Sequence, residues 1–225
     1  MKEHKNVKSV LKKLSERKGI ERIREYKLLA GDPNTEVTHK ESGCRFKLDP
    51  RKVYFSGREG TERLRIAEQV KPNEFVLVMF SGVSPFSIII ARKQPQIQKI
   101  ISIEINPIAH EYAKENIRLN KVQDKVIPIL GDVREKVKDY HGKCDRVIMP
   151  LPHEAYKYLD LAYKCLKPKG GIIHLYLIEQ EKDVEKKVKK LIHDFKKKTS
   201  YTIRKVLPYA PYMNKYCVDI SLQKD

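Results

Sequence analysis

The chain has no tryptophan, and its four cysteines, Cys44, Cys144, Cys165 and Cys217, fall in no CxxC or Cys/His ligand spacing. No metal is therefore expected, and the cysteines read as reduced core residues. No apolar run approaches the roughly 20 residues of a membrane span, and Met1-Lys2-Glu3-His4-Lys5 lacks the apolar segment of a secretory signal. A soluble, cytoplasmic protein with no membrane attachment is expected. The Gly-x-Gly-x-x-Gly loop of dinucleotide sites is missing as well. Ser81-Gly82-Val83-Ser84-Pro85 stands in its place, without the third glycine that helps seat a pyrophosphate, which argues against NAD. Acidic residues are the last shortage. Asp and Glu number 29 against 47 Lys and Arg, for a formal charge of +18, so a partner rich in negative charge is expected, most simply nucleic acid. The charge is spread from Lys2 to Lys224, and the 34% charged content would also suit an ion-pair-rich, heat-adapted surface.

What is present reads as one α/β core with a small appendage, which 225 residues can support. Val7, Val10, Leu11 and Leu14 fall at helical spacing and predict a basic amphipathic helix over 5–18. Short alternating segments follow at 26–30, 36–40, 45–48 and 52–55, broken by Gly31-Asp32-Pro33-Asn34, Ser42-Gly43 and Asp49-Pro50. Residues 1–60 are thus expected to form an α+β module, and 61–225 the main domain. That domain opens with a helix over 62–70. Buried strands are predicted at 75–80, 99–104, 126–130, 145–149 and 172–177, with helices over 85–90, 107–120 and 155–166 between them. A lysine-rich helix over 184–198, whose charged face reads as solvated, precedes two closing strands at 202–207 and 216–222. Strands alternating with helices predict a seven-stranded, Rossmann-like sheet.

Such sheets bind ligands at the carboxyl ends of their strands. One predicted strand runs into Met149-Pro150-Leu151-Pro152-His153, where two prolines fix φ and remove two N–H donors, making either a plain strand stop or a rigid wall beside a ligand. Glu104 ends another strand, where a carboxylate can accept from both hydroxyls of a ribose. Asp132 ends the next and could accept from an adenine amino group. Taken singly, these acids read as caps or surface groups; their matching positions on successive strands favour a cofactor.

Several motifs occur in order: His39-Lys-Glu-Ser-Gly-Cys-Arg-Phe, Val53-Tyr-Phe-Ser, Arg58 with Glu62-Arg63, Met79-Phe-Ser-Gly-Val-Ser-Pro-Phe-Ser-Ile, Glu104-Ile-Asn-Pro, Ile127-Pro-Ile-Leu-Gly-Asp-Val-Arg and Pro208-Tyr-Ala-Pro. From about Val7 to Leu222 the chain resembles the archaeal tRNA (guanine37-N1)-methyltransferase family. The resemblance implies a class I methyltransferase sheet binding S-adenosylmethionine, with a small RNA-facing domain. Phe80, Ser81, Gly82, Val83, Glu104, Ile105, Asp132 and Val133 would form the cofactor site. Guanine N1 attacks a sulfonium methyl only as its proton leaves and charge moves onto O6, so the site needs a base and a partner for O6. By resemblance Glu62 is the base, Arg22 the O6 partner, and Arg58 and Arg63 orient or neutralise neighbouring groups. The plain alternatives are an acid at a helix N-terminus for Glu62 and a surface cation for Arg22. The partner would be the anticodon arm of tRNA, with no obligate protein partner evident. Many members carry a further N-terminal domain that this sequence lacks, implying less contact outside that arm.

Three positions depart from the family's pattern. Val78 stands where an acid is usual and Ser84 where glycine is usual, and Pro150 replaces the asparagine of Asn-Leu-Pro. Pro-Leu-Pro is similar to the wyosine-associated branch, which methylates C7 of a tricyclic base made from the same guanosine, in some members in addition to N1. A nucleotide in either state would have to leave the loop stack, with Tyr176, Tyr209 and Tyr212 as candidate stacking residues or ordinary core tyrosines. Two other readings stay open: an RNA-binding module whose cofactor site has degenerated, and a methyltransferase acting on ribosomal RNA.

Overall fold

The computed structural model describes residues 7–17, 19, 21–195 and 198–223. Two hairpins come first, β1 (Ser9–Lys13) with β2 (Tyr26–Gly31) and β3 (Val37–Glu41) with β4 (Cys44–Leu48). The predicted N-terminal helix is therefore replaced by a strand, and its residues 5, 6 and 18 lie outside the described ones. Leu11 pairs opposite Leu28 and Lys13 opposite Tyr26, while Val7, Val10 and Leu14 stay 39%, 38% and 54% exposed. No surface receives the apolar face a helix would present, so pairing with β2 overrides the helical spacing. The strand expected at 52–55 is likewise absent, those residues forming the loop that leads into the next helix.

Beyond the hairpins run α1 (Gly60–Gln69), β5 (Phe75–Val78), α2 (Pro85–Lys93), β6 (Lys99–Glu104), α3 (Pro107–Leu119), β7 (Val126–Leu130), α4 (Val133–Lys136) and β8 (Arg146–Met149). Then come α5 (Leu159–Cys165), β9 (Gly170–Gln180), α6 (Val184–Ile192), β10 (Lys198–Ala210) and β11 (Met213–Gln223). Seven strands form one sheet in the order β10-β11-β9-β8-β5-β6-β7. The five from β9 to β7 are parallel, and β11 and β10 close the other edge antiparallel. The α/β expectation holds, with a closing hairpin longer than predicted and the helix expected over 155–166 beginning as a 3-10 turn, Ala155–Tyr158.

Alternation sets the two faces of the sheet. Val76, Val78, Ile100 and Ile148 pack with α1, α2 and α3, whereas Leu77, Ile101, Val147 and Met149 pack with α5 and α6. Val78 is one of the buried apolar residues at 0% exposure. β5 has β6 on one side and β8 on the other, and the chain winds outward from it in both directions. That reversal opens a crevice at the carboxyl ends of β5 and β8, the place where such sheets bind ligands.

The β3–β4 hairpin is tied into the same core through Cys44, Phe46 and Leu48. Asn116 on α3 and Asn120, which caps its C-terminus one turn later, act as a surrogate strand along its free edge. The Asn116 side chain accepts from the Lys47 N–H at 2.7 Å and donates to the Lys47 carbonyl at 3.0 Å, and Asn120 does the same at Arg45 at 2.9 and 2.7 Å. Neighbours four apart on a helix are spaced about 6 Å, close to a two-residue step along a strand. Two amides can thus satisfy alternate backbone positions.

Candidate active site

The loop after β5 is held in an unusual shape. Phe80, Gly82 and Ser84 have φ of 56°, 56° and 63°, and the two non-glycines pay about 1–2 kcal/mol each for that conformation. Glycine at position 84 would carry no such penalty, which explains the residue expected there. Strain of this kind persists where surrounding structure enforces it, and it gathers at ligand sites. Here Ser81 N–H donates to Ile103 and Ser84 N–H to Ser81, each at 2.9 Å. The Ser81 and Ser84 hydroxyls are buried with no hydrogen-bond partner, a cost of about 1–3 kcal/mol apiece that a polar ligand would relieve.

Glu104, at the end of β6, is 8% exposed. Its carboxylate accepts the Gly82 N–H at 2.6 Å and the Asn106 N–H at 2.8 Å, so it binds the β5 loop to the start of α3. Burial pushes its pKa up against the pull of those N–H groups. Each oxygen keeps a further lone pair, enough to accept two hydroxyls. Asp132, ending β7, caps α4 and is paired with the exposed Arg134, whose guanidinium holds it below the ordinary carboxylate value. Ile105 and Val133 follow these two acids; Ile105 is half-buried and Val133 buried.

Glu62 lies in the first turn of α1, 4% exposed. Arg65 grips both its oxygens, at 2.8 and 2.7 Å, and the Tyr176 hydroxyl donates to Oε1 at 2.8 Å. Arg65 also donates to Asp219 at 2.7 Å, Asp219 accepts from His174 Nδ1 at 2.6 Å, and His174 Nε2 faces the Arg146 guanidinium at 2.6 Å. Arg146 in turn pairs with Glu74. This chain joins four elements, α1, β8, β9 and β11, and the loop before β5. His174, Cys217 and Asp219 have ligand atoms within 4.8 Å of one another, but a guanidinium against His174 opposes a cation, and burial holds the imidazole neutral.

The other expected residues divide. Arg63 is buried and locked to Glu41 on β3–β4 at 2.6 and 2.8 Å and to the Ser56 carbonyl at 2.9 Å, so it fastens the hairpin to α1. Arg58 is exposed. Arg22, at φ 55° in the β1–β2 connection, is near enough that its charge lowers the pKa of His153, after burial, and of Glu154, after the Lys157 contact. The field of Glu21 in the same connection reaches Glu104. The charges of this connection are thus felt both at Glu104 and in the loop after β8. In that loop the Leu151 N–H donates to Met149, and the Pro152 carbonyl accepts from Ile178 at 3.2 Å, fixing the prolines against β9. Tyr176 is fully buried and offers RNA no ring face; Tyr209 is half exposed and meets His153 edge-on at 5.3 Å, and Tyr212 is 90% exposed.

Four further residues have a place in this site; Tyr54 lies in the Val53-Tyr-Phe-Ser motif, while Arg17, Glu59 and Lys215 carried no signal in the sequence. Tyr54 sits with its carbonyl 3.8 Å from where a Cβ on Gly82 would lie, and its hydroxyl donates to Glu59 at 3.2 Å. Burial and the Glu59 charge push its pKa up to about 12. Arg17 lies 4.2 Å over its ring. Glu59 is ion-paired at 2.7 Å with Lys215, and both are nearly buried.

A sheet wound both ways from β5, closed by an antiparallel hairpin and bearing an acid at the end of β6, defines a Rossmann-like fold of the class I methyltransferase type. Residues 37–204 match the model of the TRM5/TYW2 methyltransferase domain, and the chain belongs to that family. It is 41% identical over 221 residues to the Pyrococcus abyssi tRNA (guanine(37)-N(1))-methyltransferase Trm5b, covering 96% of this chain and 64% of that protein. It is 39% identical over 215 residues to the tRNA 4-demethylwyosine(37)-methyltransferase Taw21 of Saccharolobus solfataricus, covering 95% and 79%. Among solved structures, it matches that of aTrm5 with tRNALeu at TM-score 0.87 and 40% identity, over 99% of this chain and 63% of that one. It matches Methanocaldococcus jannaschii TYW2 in complex with AdoMet at 0.79 and 36%, over 89% and 91%. The chain spans less than two thirds of the Trm5b relative's length.

Proposed function

We propose that this protein transfers a methyl group from S-adenosylmethionine to the purine at position 37 of tRNA, at guanine N1, at C7 of the tricyclic wyosine intermediate, or at both. The observation that carries the reading is Glu104. It is a buried carboxylate ending β6, joined to the strained Gly82 loop, beside the crevice between β5 and β8. The two unpartnered serine hydroxyls fit the same ligand, since they offer polar partners where its amino-acid end would lie. Bound there, the cofactor supplies an electrophilic methyl on a sulfonium. Glu104 would accept from the ribose hydroxyls, with Ile105, Asp132 and Val133 near the base and Phe80 to Val83 along the amino-acid end.

Glu62 acts as the base for the N1 proton. Its Oε1 already accepts from Arg65 and Tyr176, whereas Oε2 accepts only from Arg65, leaving one lone pair for a proton. Arg65 and Tyr176 hold that carboxylate in place. Arg22 is the O6 partner by resemblance, Arg63 holds the hairpin in place, and Arg58 meets the RNA. Pro150 and Pro152 form an unyielding wall for the flipped base without a side-chain hydrogen bond. Residues 1–60 serve as the RNA-facing part, with the exposed Lys8, Lys12 and Lys13 toward the anticodon arm, which makes binding fall with salt.

The relatives also include a Methanocaldococcus jannaschii aminocarboxypropyltransferase, 37% identical over 205 residues and covering 79% of that protein. The test therefore places isotope separately in the methyl group and in the aminocarboxypropyl chain of the cofactor, with tRNA as acceptor. Methyl label alone should enter the RNA. Label from the other chain, or none although cofactor and tRNA both bind, would overturn the proposal.

A further inference from the structure

The face of the β9–β11 pair that packs against α1 carries a polar ladder running toward the carboxyl end of β9. Asp219 stands opposite His174, Cys217 opposite Tyr176, and Lys215 comes next, opposite Ile178 near the carboxyl end of β9. The lower rungs hold Glu62 through Arg65 and Tyr176. Lys215 is the top rung and has no part in that task. Its side chain is 4% exposed, its ammonium is 2.7 Å from Glu59 Oε2, and it lies 4.9 Å over the Tyr176 ring.

A buried ion pair is poor evidence for stability, because an apolar pair of the same volume is often as stable or more so. The location is what distinguishes this one. Glu59 holds the hydroxyl of Tyr54, which abuts the Gly82 loop. Tyr176, under the ammonium, donates to Glu62. The charge of Lys215 also reaches His153, the residue after Pro152. The ammonium thus touches Glu59 and the Tyr176 ring, the first holding the Tyr54 side chain and the second donating to Glu62. Of its three N–H donors, Glu59 takes one and the aromatic face attracts another, leaving one for a ligand.

We propose that Lys215, aimed by Glu59, is a second cation for the reaction and meets the O6 oxygen of the target purine as negative charge gathers there. The assignment rests on the reading of the crevice as the site of purine methylation. It also accounts for a proline at position 150: a wall with no hydrogen-bonding side chain suffices when O6 is met from the sheet. A desolvated donor aimed at developing charge is the kind of group whose removal costs about 10²–10³ in rate.

The test is a cycle of Lys215→Met in the protein against 2-aminopurine in place of guanine in an anticodon stem-loop, a change that removes O6 and the N1 proton. Stem-loop affinity is measured with S-adenosylhomocysteine present, and single-turnover methylation is measured on the guanine RNA. The unmodified protein should prefer guanine RNA, and Lys215→Met should cut that preference about tenfold, the value of a charge-assisted hydrogen bond, with the part owed to Arg22 and Glu62 remaining. The variant's rate should fall about 10²-fold with S-adenosylhomocysteine affinity unchanged. The same preference in both proteins, or an unchanged rate, overturns the role of Lys215. Glu59→Gln with Lys215→Met removes both charges together and should show the same loss; it carries the test if the single variant does not fold. If the unmodified protein methylates no guanine RNA, methylation at guanine N1 fails while the C7 reading stands, and the affinity arm still decides whether Lys215 reads O6.

Discussion

Replacing Asn116 with leucine, which shares its branching and number of heavy atoms, removes the surrogate strand at one position without leaving a cavity. The Lys47 N–H and carbonyl, held at 2.7 and 3.0 Å, lose their partners behind an α3 residue that is 0% exposed. Two orphaned backbone groups at about 1–3 kcal/mol each give an expected loss of about 2–6 kcal/mol. Asn116 also donates to the Val83 carbonyl at 3.4 Å, so the same substitution should loosen the β5 loop and weaken binding of S-adenosylhomocysteine. Urea unfolding followed by circular dichroism measures the first effect, with an unchanged slope confirming that stability alone moved. Calorimetric titration of the folded variant measures the second. A loss under about 1 kcal/mol would mean that the hairpin edge finds other partners, and would refute the surrogate-strand argument.

Three further outcomes are expected. Glu104→Gln sets an amide N–H₂ against the N–H groups of Gly82 or Asn106 and removes the charge, so calorimetry should find S-adenosylhomocysteine bound about 10-fold or more weakly; native affinity would remove Glu104 from the cofactor site. Against the upward push of burial, hydrogen bonds from His174 and Arg65 hold Asp219 well below the usual carboxylate range. Its contribution is complete above the unfolded pKa of about 4 and is lost as pH falls below it, so Asp219→Asn should be less stable at neutral pH and show a shallower acid slope in urea titrations. All four cysteines are buried, and burial raises their thiol pKa values, that of Cys165 to about 12; a thiol reagent should label none until the protein is denatured, and rapid labelling of the native protein would contradict the packing.

The sequence was most readable where chemistry and periodicity coincide. Continuous runs such as Phe75–Val78 and Lys99–Glu104 are strands buried on both faces, and the residues that end or follow such strands, Glu104 and Pro150–Pro152 among them, fall at the carboxyl edge of the sheet as their positions in the sequence imply. Segments whose partner lies elsewhere were less legible. Val7, Val10, Leu11 and Leu14 have helical spacing, but only the availability of β2 decides their conformation. The Glu62 network joins residues up to 154 positions apart, and Asn116 and Asn120 read as ordinary helix polars until β4 is seen beside them. Lys215 was one lysine among many, because nothing local distinguishes a buried ammonium from a solvated one.

The central claim is that the crevice bounded by Glu104, Glu62 and Pro150–Pro152 methylates the purine at tRNA position 37. Its most direct test is to incubate the protein and its Glu62→Gln variant with the cofactor and two tRNAs, one bearing unmodified guanosine and one the tricyclic intermediate, and to identify the modified nucleoside by mass. The account predicts a methylated position-37 nucleoside from at least one tRNA with the unmodified protein, and none with Glu62→Gln, which still binds tRNA. Methylation at another position, or full activity in the variant, would contradict it.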